Sequence, residues 1–126
     1  MAERALHTIY YRIAAGAAYA TEPIDLRTVE PVSLVMPAAW TMAAISFSGS
    51  SDGIAFGWLA NSSARINRLN PATPLYLYQL SASWFNGVNW LHIVSGDLSL
   101  GFAGLVNQTA DRVLTLNCRD RFAIPL

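Results

Sequence analysis

A chain of 126 residues fits one domain, and with 53% of its residues apolar it can bury roughly two thirds of its unfolded surface without disulfide staples. Only 13% are charged, where a soluble domain ordinarily carries about a quarter. The formal charge balances at zero, eight arginines against eight acids with no lysine, so nothing marks a footprint for nucleic acid or an anionic membrane.

The first 21 residues hold LHTIYYRI at 6–13, a β-branched and aromatic run. Both of its faces are partly apolar: His7, Ile9, Tyr11 and Ile13 on one, Leu6, Thr8, Tyr10 and Arg12 on the other. Such a strand is either central in a stack of sheets or an arm lying against a neighbouring subunit. The Ala-rich segment that follows carries Gly16 and no cap, so residues 1–21 are expected to be an extended N-terminal arm or linker. Arg4 and Ala18-Tyr19-Ala20 imitate a signal peptide, but His7, Arg12 and two tyrosines interrupt its apolar core. Pro23 marks entry into a β-sandwich domain spanning 22–126.

Within that domain, residues 32–36 form an apolar run of strand length between Pro31 and Pro37. Residues 42–47 alternate Ala43, Ile45 and Phe47 against Met42, Ala44 and Ser46, the period of a half-buried strand. Asp52-Gly53 supplies a tight turn and residues 56–60 the returning strand. Residues 61–74 are polar, with two prolines, and read as the longest loop. Strands are predicted again over 75–80, over 89–95 (Trp90, His92 and Val94 against Leu91 and Ile93) and over 111–119. Short strands about ten residues apart, with no amphipathic helix pattern, predict an all-β antiparallel sandwich or jelly-roll of about six to eight strands.

Chemistry is sparse. Cys118 sits in the apolar alternation of the last strand, where a buried inert thiol is expected. His7 and His92 stand in strand-like alternation without partners at metal-ligand spacing, so no metal is expected. Asp25, Asp52, Asp97 and Asp111 fall at strand ends or turns, where Asp bonds backbone. No nucleophile elbow, phosphate loop or zinc-protease signature occurs, so neither catalytic residues nor a cofactor are expected. The aromatic residues divide between core and contact. Trp84, Phe85 and Asn86, in a Gly- and Ser-rich stretch, are the candidates for an exposed aromatic or glycan contact; Tyr10, Tyr11, Arg12 and Tyr19 are the candidates for an assembly interface.

Five segments in order, IDLR (24–27), MPAAW (36–40), the hairpin 47–56, the strand 90–96 ending in Ser-Gly, and NQTADRVLTL (107–116), resemble a group of small β-sandwich virion proteins of proteobacterial tailed phages. A second resemblance is to discoidin-type galactose-binding domains, which share the Ser-x-Asp-Gly turn and a strand ending in Ser-Gly. This sequence departs from that pattern in lacking the strand's Arg and a terminal Cys pair.

The first resemblance implies a capsid decoration or cement protein on the outer surface of the head, or a tail-associated component, with no enzymatic activity. Its partners would be the major capsid protein or other virion proteins, and a homo-oligomer is expected. The second implies a carbohydrate-binding adhesion module, free or on a head or tail fibre.

Overall fold

The computed structural model describes residues 6–121 except 62, 64 and 71. Among the described residues the chain forms two antiparallel sheets packed face to face, the sandwich expected from the period-two pattern. The strands are β1 (Leu6–Ile13), β2 (Ile24–Asp25), β3 (Val29–Val35), β4 (Ile45–Ser50), β5 (Gly57–Trp58), β6 (Arg68–Leu69), β7 (Leu77–Gln79), β8 (Trp90–Ser95) and β9 (Arg112–Asp120). One sheet has the order β1-β9-β3-β7; the other runs β2-β8-β4-β5, with β6 following β5 along the same edge of β4.

The core lies between the inner faces. Tyr11 and Ile13 of β1, Leu34 of β3, and Leu114, Leu116 and Cys118 of β9 meet Ile45 and Phe47 of β4 and Leu91 and Ile93 of β8. Each is at most 3% exposed, and each large aliphatic or aromatic side chain buried this way contributes about 1.5–3 kcal/mol. Pro31 sits where the register between β3 and β9 shifts, an irregularity in the ladder that accommodates a residue without an N–H.

The N-terminal segment differs from the expected arm. Residues 1–5 lie outside the described residues, but β1 pairs with β9 over eight consecutive positions and forms the edge of the first sheet. Residues 14–20 are stitched down as well: Gly16 N–H donates to Gln108 O, Gln108 N–H to Ala17 O, and Ser95 N–H to Ala18 O. Of the two partly apolar faces of β1, one packs into the core and the other is exposed on the outer face of the sheet.

The Asp52-Gly53 turn is also wider than a two-residue hairpin. Pairing ends at Gly49 with Gly57, and the Asp52 carboxylate accepts N–H groups from Ile54 and Ala55 to hold the loop. Gly53 takes a positive φ of 82° there, against the Trp90 ring.

Candidate functional site

A sandwich offers its outer sheet faces and its loops to ligands and partners, and alternation decides what each face contains. On β4, Ile45 and Phe47 point inward, so Ser46 and Ser48 point outward; on β8, Leu91 and Ile93 point inward and His92 and Val94 outward. Register then aligns them. Ser48 lies opposite His92 on one side and opposite Trp58 on the other, giving a row His92–Ser48–Trp58 across three strands. A serine between two ring side chains leaves a gap, and that gap is the floor of a cleft of about 270 Å³.

The walls come from loops. Tyr19, from the segment after β1, stands edge-on to His92 with ring centres 5.5 Å apart, and Phe56, just before β5, stands 5.2 Å from the same ring. The far wall is a short 3₁₀ segment, Leu98–Gly104, which brings Phe102 edge-on to Trp58 at 5.3 Å. Ser46 pins this segment by donating to Gly96 O and accepting from Leu98 N–H. The loop closes so tightly that a Cβ on Gly104 would sit 2.0 Å from the Asp97 carbonyl oxygen. Asp97 caps it, accepting from Ser99 and Arg68.

Electrostatically the cleft is neutral. Burial lowers the basicity of His92 below the ordinary imidazole range, against a smaller opposing pull from the Glu22 carboxylate. Burial also raises the Tyr11 hydroxyl well above the ordinary phenol range, so it keeps its proton. That hydroxyl accepts the Ala20 N–H and lies 2.9 Å from His92 Nδ1. With Nδ1 as acceptor the hydroxyl proton has a partner, which leaves the imidazole proton on Nε2, on the side of the cleft. Ser48 Oγ, His92 Nε2 and the Tyr19 hydroxyl have no bonding partners among the described residues. The cleft thus presents aromatic faces beside hydroxyls and one N–H donor, and no charged side chain lines it among the described residues.

The candidate assembly residues fall along one trough between β1 and residues 14–25, but they are not equivalent. Tyr10 is 71% exposed on the outer face of the first sheet. Tyr11 points the opposite way and is buried at 3%, so it is a core residue and not an interface contact. Arg12 is exposed but held by the Asp111 carboxylate of its own chain, which also accepts Ala15 N–H. Tyr19 belongs to the cleft.

The candidate glycan contact at Trp84, Phe85 and Asn86 is corrected in the same way. The 3₁₀ turn Ala82–Phe85 swings both aromatic rings inward, Phe85 edge-on to Phe47 at 5.5 Å and Trp84 tilted against it at 6.1 Å, leaving only Asn86 exposed. Of the other tryptophans, Trp40 is buried and donates to Ala43 O, and Arg27 covers Trp90 at 4.8 Å. Trp58, 40% exposed, is the one aimed at solvent from a strand.

The four aspartates expected at turns are each occupied there. Asp25 holds Arg27, Asp52 the Ile54 and Ala55 amides, Asp97 Ser99 and Arg68, and Asp111 Ala15 and Arg12. Among the described residues no three His, Cys, Asp or Glu side chains cluster as metal ligands would. Phe56, Trp58, His92 and Phe102 escape sequence reasoning as a group because their meeting depends on strand register. The visible trace was Ser46, Ser48 and Ser50 at alternate positions, small residues on one face of a strand.

No protein-family model, curated protein or solved structure matches the chain.

Proposed function

We propose that the protein is a structural component of a tailed-phage virion, a decoration or cement protein that grips neighbouring subunits on the outer surface of the head. The observation that carries this reading is the outer face of the β1-β9-β3-β7 sheet. Register aligns Tyr10, Thr115, Val35 and Leu77 in one row across all four strands, and the row ends in two exposed side chains, Tyr10 and Leu77 at 53%. Leu75, in the turn before β7, is exposed as well, with a positive φ of 67° that is costly for a branched aliphatic residue. A row with an exposed aromatic at one end and an exposed leucine at the other suits a broad protein surface, and repetition by symmetry multiplies individually modest contacts. The resemblance of its segment order to that of phage sandwich proteins supports the same reading.

The test is to purify tailed particles from a host carrying the gene, identify their proteins by mass spectrometry, and locate this one by immunogold microscopy. The wild-type chain is expected on the particle exterior, and a Tyr10→Glu/Leu77→Glu variant with an unchanged melting curve is expected to be lost from it. Absence of the wild-type chain from particles overturns the virion reading, and full incorporation of the double variant overturns the assignment of this face.

A further inference from the structure

We propose that the cleft over His92, Ser48 and Trp58 is a binding site for one pyranose ring of a neutral glycan. The site lies on the sheet opposite the proposed assembly face, and the inference does not depend on the virion reading.

Three features select that ligand. The first is size: 270 Å³ falls just below the roughly 300 Å³ at which pockets for drug-sized molecules begin, room for a single ring. The second is the alternation of ring faces with uncommitted hydrogen-bonding groups. Trp58 and Phe102 provide apolar surface for the C–H face of a sugar, while the Ser48 and Tyr19 hydroxyls and the His92 Nε2–H provide donors and acceptors for its hydroxyls. A purely apolar ligand would leave those three groups desolvated and unpaired, a penalty that a polyhydroxylated ring avoids.

The third feature is charge. The lining carries none among the described residues, and the imidazole, which could become cationic, is kept neutral by its burial. A sulfated, phosphorylated or carboxylated sugar would therefore gain no ion pair and would lose hydration on entry. The geometry is also prepared in advance: Tyr11 fixes the imidazole from behind, and the Ser46 contacts with Gly96 and Leu98 fix the wall that carries Phe102.

The experiment is a heteronuclear NMR titration of the full chain with methyl glycosides of galactose, glucose, mannose and N-acetylglucosamine, with glucuronic acid and indole as comparison ligands. A ring of about twelve heavy atoms at ordinary ligand efficiency corresponds to a Kd of about 1 mM. Saturable shifts of the Trp58 indole N–H and the His92 ring signals are expected with at least one neutral glycoside, and at least tenfold weaker binding of glucuronic acid. Ser48→Leu, which fills the floor, and Trp58→Ala, which removes a stacking face, are each expected to weaken binding at least tenfold; Ser48→Leu keeps the test decisive should Trp58→Ala not fold. The proposal is overturned if no neutral sugar shifts these signals, if both variants bind as wild type does, if indole alone saturates the cleft, or if sedimentation shows Trp58 covered by a second copy of the chain.

Discussion

Gln108 is the residue whose replacement tests the account of the fold most sharply. It is 1% exposed, and its amide makes four hydrogen bonds: Nε2 donates to Thr41 O at 3.1 Å and Ser95 Oγ at 2.8 Å, while Oε1 accepts from Thr41 N–H at 2.8 Å and Arg112 Nε at 3.2 Å. Gln108→Leu keeps the size and removes all four. Ser95 retains its bond to Val106 O, and Arg112 retains Thr41 Oγ1 and water, so the main loss falls on the two backbone groups of Thr41. Orphaning those two and weakening the others costs about 4 kcal/mol, because a deleted partner leaves the desolvation of the remaining group uncompensated. The added apolar burial offsets about 1.5 kcal/mol. The net loss of about 2–3 kcal/mol corresponds, for a domain of this size, to a fall in Tm of about 8–10 °C. Calorimetry with a parallel urea melt measures it, with Asn107→Ala as an exposed neighbouring control expected to move Tm by less than about 2 °C. A fall of under 2 °C for Gln108→Leu would show that the stretch after β3 is held by something other than this amide.

His92 gives a pH signature. Its folded-state basicity is depressed, mainly by burial and in part against Glu22, with Tyr11 and Tyr19 the other titratable groups facing it. The unfolded chain therefore binds the proton first, and stability present above pH 6.5 is lost as pH falls from there through the depressed value. The difference between wild type and His92→Gln, measured by urea titration at a series of pH values, should carry that loss; identical pH profiles would refute it. Trp84→Ala should lower stability by about 2 kcal/mol, a half-buried fraction of the usual buried Trp→Ala cost, while leaving glycoside titrations unchanged; lost binding with an unaltered melt would return the site to residues 84–86. Burial pushes the Cys118 thiol up to about 12, so a thiol reagent at pH 8 should label it only at the rate of global unfolding. Labelling of the native protein within minutes would contradict its place between the sheets.

Period-two patterning carried most of the architecture. LHTIYYRI has the extents of β1, although its sequence context suggests an arm outside the domain and it pairs with β9 inside it, and the last two predicted strands coincide with β8 and β9 to within a residue at each end. What patterning could not supply is which of two similar faces turns inward. Tyr10 and Tyr11 are adjacent and chemically alike, yet one packs under the sheet and the other stands in solvent, because Tyr11 falls in phase with Ile9 and Ile13. The predicted strand over 42–47 begins three residues early and stops three short, since Ser48, Gly49 and Ser50 read as turn residues when they are in fact the outward and close-packed positions of β4. The Trp84-Phe85 pair misleads for the complementary reason. Gly and Ser around it signal a loop, and it is one, but a single 3₁₀ turn suffices to drive two rings onto Phe47. The cleft itself was beyond reach, because Ser48 acquires meaning only once register sets His92 and Trp58 on either side of it.

The two outer faces differ physically in a way that separates the roles proposed for them. On the β1-β9-β3-β7 sheet two exposed apolar residues, Tyr10 and Leu77, end one cross-strand row, with Thr115 and Val35 filling the interval between them. Among the described residues no cleft interrupts that row, and an open row of exposed side chains gains from a partner broad enough to exclude water over its whole width. On the β2-β8-β4-β5 sheet the corresponding interval is occupied by a serine, and loops raise further rings around it, so the same kind of side chains enclose a volume instead of presenting an area. The faces stand on sheets roughly 10 Å apart across a packed core, far enough that perturbations should add and not couple. Tyr10→Glu/Leu77→Glu should therefore leave glycoside affinity within twofold of wild type, and Ser48→Leu should leave particle incorporation intact; a change in both readouts from either substitution would mean that the two faces serve one interface.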